Sequence, residues 1–260
     1  MKAVSAILLT TILELQRLPS LTESTLGGGT NLAIRYGHRE SHDIDLFFPG
    51  IIGKTGYEVI LKEISDLYKD KPFLAEYPCD EDDQFLFQRI IIKKRNTPVK
   101  IEILQNFHTY DEPEFIQGIR LMSEQDIALL KLITACNRAN DKDIYDLDYL
   151  TDHLPLGFLM IQLKEKQVKF AALQHQNIFD LDGTKSPVDN PELLLKFENP
   201  VKSERSRPGH SNPRIDHLNE SKNWALARSS WRRKVRAYFS EIGRDFPEAI
   251  DYSNDNVDGV

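Results

Sequence analysis

Cysteine is scarce: Cys79 and Cys136 are the only two in 260 residues, far apart and outside any Cys-x-x-Cys spacing. That argues against a disulfide framework and a thiolate zinc site, and it fits a reducing cytoplasm. Long apolar runs are also missing. The one stretch that invites a membrane or secretion reading is the start, MKAVSAILLTTILELQRLPS. It is broken by Glu14 and Arg17 and has no small-x-small cleavage site. Val4, Leu8, Ile12 and Leu15 instead fit one face of an amphipathic helix ended by Pro19. No other stretch is apolar enough to span a bilayer, so no membrane partner is expected. Positive charge is short too: the net charge of −7 argues against a general nucleic-acid binder. His38 and His108 show no metal spacing, and no internal repeat is present.

With 40% hydrophobic and 28% charged residues, the chain reads as globular, with room for one large domain or two smaller ones. Its charge is uneven. Residues 202–236 hold ten Lys/Arg against three acids, and 241–260 hold six acids against Arg244. Such a basic segment is either a contact for a polyanion or a set of solvated faces.

Along the chain, a glycine turn follows the first helix, then a short helix from Thr30 to Tyr36 closed by Gly37. HDIDLFF reads as a strand ended by Pro49-Gly50, and GYEVILKEISDLYK (56–69) has the 3.6-residue period of a helix. QFLFQRIIIKK and PVKIEIL, joined through Arg95-Asn96-Thr97, read as two antiparallel strands. From Ser123 the pattern turns helical. Ser123 and Asp126 make a capping-box-like start for SEQDIALLKLITACNR, DKDIYDLDYLTDHL follows, and SWRRKVRAYFSEI is the last helix. The stretch 175–222 reads as loop with short helical pieces.

The chemistry concentrates in GGGTNLAIRYGHRESHDIDLFF, residues 27–48. A glycine turn lets backbone N–H groups approach a phosphate. Asp43 and Asp45 alternate along a strand and share one face, where two carboxylates can hold Mg²⁺ through oxygen ligands. An Asp-x-Asp alone is a weak signal; behind Gly-Gly-Thr at a dozen residues it is a strong one. Arg39 and Ser41 lie between the two features, within reach of phosphate or of the metal's surroundings. Glu102 interrupts an apolar strand and is a candidate third metal ligand, or else the partner of Lys100 on the same face. Lys131 sits in a helix apolar on nearly every side, so its ammonium either snorkels to water or meets an anion such as a triphosphate. Asp143 and Asp146 share one helical face, as ligands or as a local ion-pair network.

GGTNLAIRYGHRESHDIDLFF resembles the signature of the AbiEii/AbiGii toxin-like nucleotidyltransferases, within the DNA polymerase β superfamily. DIALLKLITACNRANDKDIYDLDYL resembles that family's second signature, a lysine helix followed by a Lys-Asp-x-x-Asp helix. The resemblance implies an α+β fold: an N-terminal nucleotidyltransferase-like mixed sheet with helices (1–118), then a mainly helical domain (119–245); the acidic tail (246–260) reads as disordered from its own composition. It further implies that Gly28, Gly29 and Thr30 bind a nucleoside triphosphate, which their place in the sequence puts within reach of Arg39 and Ser41. Asp43, Asp45 and Glu102 would hold Mg²⁺, two ions with Mn²⁺ as the alternative metal, Lys131 would contact phosphates, and Asp146 would have a catalytic role. Implied partners are an NTP, an RNA acceptor such as a tRNA end, held by the basic segment with Trp224 and Trp231, and a cognate antitoxin. Two other classes stay open: a small-molecule nucleotidyltransferase of the antibiotic-modifying kind, and a nucleotide-binding protein without turnover.

Overall fold

In the computed structural model the described residues are 3–69, 74–79, 83–138, 140–181, 183–198, 214–218 and 221–247. Part of the basic segment and most of the acidic tail lie outside them. The elements in order are α1 (Ala6–Leu15), β1 (Thr25–Leu26), α2 (Gly28–Tyr36), β2 (Asp43–Phe47), α3 (Gly53–Tyr68), β3 (Leu74–Cys79), β4 (Phe87–Lys94) and β5 (Thr97–Leu104). There follow β6 (Glu114–Ile116), β7 (Ile119–Leu121), α4 (Glu124–Arg138), α5 (Asp141–His153), α6 (Leu156–Lys169) and α7 (Trp224–Glu241). The strands form one mixed sheet in the order β3-β4-β5-β2-β1-β7-β6, with β2 at its centre. β2 runs parallel to β5 and β1 parallel to β7; the other pairs are antiparallel.

The period of two along β2 decides which face does what. Ile44, Leu46 and Phe48 join Ile90, Ile101 and Ile103 in a core closed by Leu8, Ile12 and Leu15 of α1 and Tyr57, Ile60 and Ile64 of α3. Ile44 and Leu46 are fully buried, each worth about 2 kcal/mol. Asp43, Asp45 and Phe47 take the opposite face. There Phe47, Phe87 and Leu104 meet a second core built by α4, α5, α6 and α7. The carboxylates therefore face the helical half of the protein.

Most elements lie where the sequence pattern places them. Arg95 and Asn96, at φ 49° and 65°, make the tight turn between β4 and β5. Ser123 Oγ accepts the Asp126 N–H at 3.0 Å and donates to its carboxylate at 2.9 Å, completing the expected cap of α4. Helix α6 is an addition, its apolar side (Leu156, Leu159, Met160, Leu163) buried in the second core. The sheet also runs past the expected boundary at residue 118. Gln117 and Gly118, both at positive φ, turn the chain back, so β7 pairs with β1 through Leu26 and Leu121. The helical half begins only at α4.

Candidate functional site

Three consecutive glycines start α2, Gly27 as its cap and Gly28 and Gly29 in its first turn, and each meets a different partner. A Cβ on Gly27 would lie 2.4 Å from the ring of Phe47. On Gly28, at φ +61°, it would lie 1.9 Å from Asp45 Oδ2. On Gly29 it would lie 2.2 Å from Arg39 Nη2. The turn is thus pressed onto the acidic strand, and the Gly27 N–H donates to the Asp45 carbonyl at 2.8 Å. Helix α2 has no side-chain cap, so its first-turn N–H groups are left to other acceptors at the positive end of the helix dipole.

Thr30 is fully buried. Its hydroxyl donates to the Asp43 carbonyl and bonds Ser41 Oγ at 2.8 Å; with its single proton spent, Ser41 is the donor in that second contact. These two residues tie the glycine turn, the intervening loop and β2 together. The loop is braced from outside as well, since the Glu40 N–H donates to the Asp216 carbonyl at 2.8 Å.

Across the sheet, Asp43 stands opposite Lys100 and Asp45 opposite Glu102. Lys100 Nζ lies 3.3 Å from Asp43 and 3.5 Å from Glu102. Arg89 Nε donates to Glu102 at 2.8 Å. Burial depresses the Lys100 ammonium, but Glu102, Asp43 and Asp45 outweigh it and hold its pKa above the ordinary value. Burial, with Glu102 and Asp43 adding, pushes the Asp45 carboxyl up to about 7, against the opposing pull of Lys100 and Lys131. A half-buried acid raised by desolvation and by neighbouring acids ionises more fully when a cation arrives. Among the described residues no three His, Cys, Asp or Glu side chains are gathered as a metal cage. Asp43 and Asp45 are the pair that fits a divalent ion. The reading of Glu102 as a Lys100 partner is the one its contacts bear out, with Arg89 as the partner that the sequence did not reveal.

A second, buried cluster lies behind the turn. Asp146 is fully buried and accepts from Arg39 Nε at 2.6 Å and Nη2 at 2.7 Å, a bidentate pair. His38 Nε2 lies 2.7 Å from the same carboxylate, and Lys131 Nζ lies 2.8 Å from it. Lys131 also donates to Asp143 at 2.7 Å. Burial raises the Asp146 carboxyl, but Arg39 and Lys131 outweigh it and hold its pKa well below the usual range. The same competition, won by Asp143 and Asp146, keeps the Lys131 ammonium above its ordinary value. His38 is depressed by its burial and stands neutral, its Nδ1 buried without a partner.

Lys131 therefore neither snorkels nor waits alone for an anion: its partners are two carboxylates one helix further on. Of the two readings the sequence offers, snorkelling or meeting an anion, the contacts form the second, with carboxylates as the anions. Arg39, expected near phosphate, has its fork committed to Asp146, and Gly29 leaves the room that fork occupies. Of the two readings of Asp143 and Asp146, an ion-pair network is what the contacts form, though with Lys131, Arg39 and His38 rather than their sequence neighbours.

The basic helix α7 also differs from expectation. Trp231 is fully buried, its indole N–H donating to the Leu194 carbonyl at 2.9 Å, so no base can stack on it. Trp224 is half-buried against Phe197. Arg232 pairs with Glu198 at 2.5 Å, and Lys234 with Asp148 at 2.9 Å and Asp152 at 2.6 Å. Arg228, 3.4 Å from the same Glu198, Arg233 and Arg236 are exposed.

The site is thus an acidic strand clamped under a glycine turn, with Lys100 beside it on the sheet and the buried Arg39 and Lys131 behind the turn. Residues 13–251 match the family described as nucleotidyl transferase AbiEii toxin, type IV toxin–antitoxin system, and the chain belongs to that family. A curated relative, an uncharacterised protein of Aquifex aeolicus (strain VF5), is 32% identical over 128 residues, 48% of this chain and 56% of that protein. The match thus spans little more than half of that relative's length. A similar solved structure is MenT4, a nucleotidyltransferase toxin of Mycobacterium tuberculosis H37Rv, with a TM-score of 0.46 at 15% identity, covering 92% of this chain and 83% of that one. No helix among the described residues is long and apolar enough to cross a membrane.

Proposed function

We propose that the protein is a metal-dependent nucleotidyltransferase that moves a nucleoside monophosphate from an NTP to an acceptor hydroxyl on an RNA, a tRNA end in particular. It would act in the cytoplasm as the toxin partner of an antitoxin. One observation carries the reading: Gly28 is pressed against an Asp45 whose carboxyl is held up near 7 by burial and by two neighbouring acids. That crowding of negative charge at a phosphate-friendly turn is costly unless a cation is part of the working state.

In the reaction the acceptor oxygen forms a bond to the α-phosphorus, the bond from that phosphorus to the bridging oxygen of the leaving pyrophosphate breaks, and the hydroxyl proton is released. Asp43 and Asp45 fit Mg²⁺, or Mn²⁺ in its place, which would supply charge neutralisation at the phosphates and acidify the acceptor hydroxyl. The free N–H groups at the start of α2 hold phosphate oxygens. Lys100 and Lys131 set a positive field beside the acidic strand. Asp146 is a positioning residue: it fixes Arg39, His38 and Lys131 and touches the reaction only through them.

Exposed Arg228, Arg233 and Arg236 on α7 support an RNA acceptor through phosphate contacts. A compact acceptor is the second reading, favoured by the burial of Trp231 and the pairing of Arg232 and Lys234. Incubation with each α-labelled NTP, Mg²⁺ and either total RNA or a small-metabolite pool tests both, with Asp45→Asn as control. Label in RNA supports the proposal. Label in small molecules alone replaces the acceptor, and no label with any NTP refutes transfer.

A further inference from the structure

Away from the acidic strand, a cavity of about 190 Å³ opens between α4, α6 and the segment that follows α6. Phe107, Phe170 and Phe179 give it aromatic walls, and Leu129, Ile133 and Leu163 close it with aliphatic ones. His108 stacks on Phe170 with ring centres 4.6 Å apart and planes 9° from parallel. Its Nε2 lies 2.9 Å from Nδ1 of His175. Among the described residues the one cation on its lining is Lys166, already bound to Asp126 at 2.9 Å. Between this cavity and the glycine turn stand Phe47 and Phe107, both buried and packed edge to face at 4.8 Å, so one small molecule cannot occupy both places.

We propose that this cavity is a second ligand site, and that its ligand is a neutral, planar heteroaromatic of purine size. Size comes first. An engineered cavity of about 150 Å³ holds benzene, so the larger volume here suits a fused two-ring system. Shape follows from the walls, because flat aromatic faces favour stacked or edge-on rings over branched aliphatics. The histidine pair supplies the polar match. In a hydrogen bond between two neutral imidazoles one ring gives its N–H and the other its lone pair. Whichever ring donates, the two outer nitrogens then offer one N–H and one lone pair. A heteroaromatic that carries both a donor and an acceptor nitrogen, as adenine does, can meet either of those outer nitrogens. Burial, with His175, Lys166 and Lys169 adding, depresses the His108 pKa, which favours the neutral form of that ring. Such a ring system is either a free base or an unstacked base presented by a bound RNA.

The test uses the full-length protein and adenine as the probe, by calorimetry and saturation-transfer NMR at neutral pH. Adenine should bind with one-to-one stoichiometry, and Mg²⁺-tripolyphosphate should not displace it. Ile133→Trp, which fills the cavity from α4, should weaken adenine at least ten-fold. His108→Phe keeps the stacking ring, removes the nitrogens, and should weaken it about three- to ten-fold. Oligoadenylate that loses affinity in the same variants identifies the source as RNA, whereas binding of adenine alone identifies a free base; either supports the site. No adenine binding, binding unchanged in both folded variants, or displacement by Mg²⁺-tripolyphosphate overturns it. The readout is binding, so it stands apart from whether nucleotidyl transfer occurs.

Discussion

Replacing Lys131 with Met is the sharpest test of the buried cluster, because two pictures of that lysine predict opposite signs. A lone ammonium in an apolar helix would cost stability, and its removal would be neutral or stabilising by about 1 kcal/mol. The structure instead pairs Lys131 Nζ with Asp143 at 2.7 Å and Asp146 at 2.8 Å, all three side chains buried. Losing one partner of a buried pair costs about 3–5 kcal/mol. Asp146 keeps the Arg39 fork and His38, so the loss falls mainly on Asp143, whose second oxygen is already buried without a hydrogen bond. The lower end, about 3 kcal/mol, is the expected cost; at about 2–4 °C per kcal/mol for a chain of this size, melting drops by about 6–12 °C at pH 7.5. In the parent, burial raises the Asp143 carboxyl but Lys131 and Arg138 outweigh it, and its pKa lies below the ordinary value. Its stabilisation is therefore present above the unfolded pKa of about 4 and lost as pH falls through the folded one. Without Lys131 the burial wins, the carboxyl titrates above its unfolded value, and the variant regains stability as pH falls from 7 toward 4. Thermal melts of parent, Lys131→Met and Lys131→Met/Asp143→Asn across that range give the answer. The double variant should recover most of the loss. A single variant that melts at or above the parent at pH 7.5 refutes the pairing argument.

Other outcomes follow from the same contacts. Gly28→Ala forces a left-handed backbone on a side chain aimed at Asp45, and should cost about 1–3 kcal/mol by thermal melt and abolish labelling. Asp45→Asn should abolish transfer and flatten the metal-free pH dependence. With its folded pKa raised to about 7, the parent loses stability as pH climbs from about 4 toward neutrality, and Mg²⁺ with NTP should restore it there; an equal restoration in EDTA refutes the metal site. Lys234→Ala, which strips Asp148 and Asp152 of a shared cation, should lower stability by about 1–2 kcal/mol. Exposed Arg233→Ala should melt within about 0.5 kcal/mol of the parent while reducing RNA labelling, and unchanged labelling moves the acceptor elsewhere.

Much of the fold is written locally. The alternation Ile44, Leu46, Phe48 against Asp43, Asp45, Phe47 assigns both faces of β2, and the Ser123–Asp126 cap fixes the start of α4. What escaped local reading is short or depends on distant partners. β1 has two residues and β6 and β7 three each, too few for a period to show, and they hold because the sheet supplies their hydrogen bonds. The sequence of α6 mixes apolar residues with lysines and carries no cap signal: the first helical position follows Pro155, which makes no side-chain bond. Its helicity comes from the core it covers.

The site divides along the same line. The turn and the paired aspartates are close in sequence, so their conjunction could be read directly. The reason for three glycines could not, since Phe47, Asp45 and Arg39 crowd them one by one only once the loop folds back. Lys131 shows why an anomaly in sequence is a pointer and not an answer. A charge among leucines and isoleucines demands an explanation, but triphosphate, water and carboxylate all satisfy the demand equally on paper. The carboxylates that do so lie twelve and fifteen residues on, and the Arg39 and His38 that complete the cluster lie more than a hundred residues from Asp146. Because Asp146 absorbs those three partners, Arg39 and His38 of the loop are tied to α4 and α5 as a fixed frame behind the acidic strand. Asp45, by contrast, is left with more negative neighbours than its burial tolerates. The protein thus keeps its satisfied charges in the frame and its unsatisfied one beside the glycine turn, where a metal-bound triphosphate would complete it.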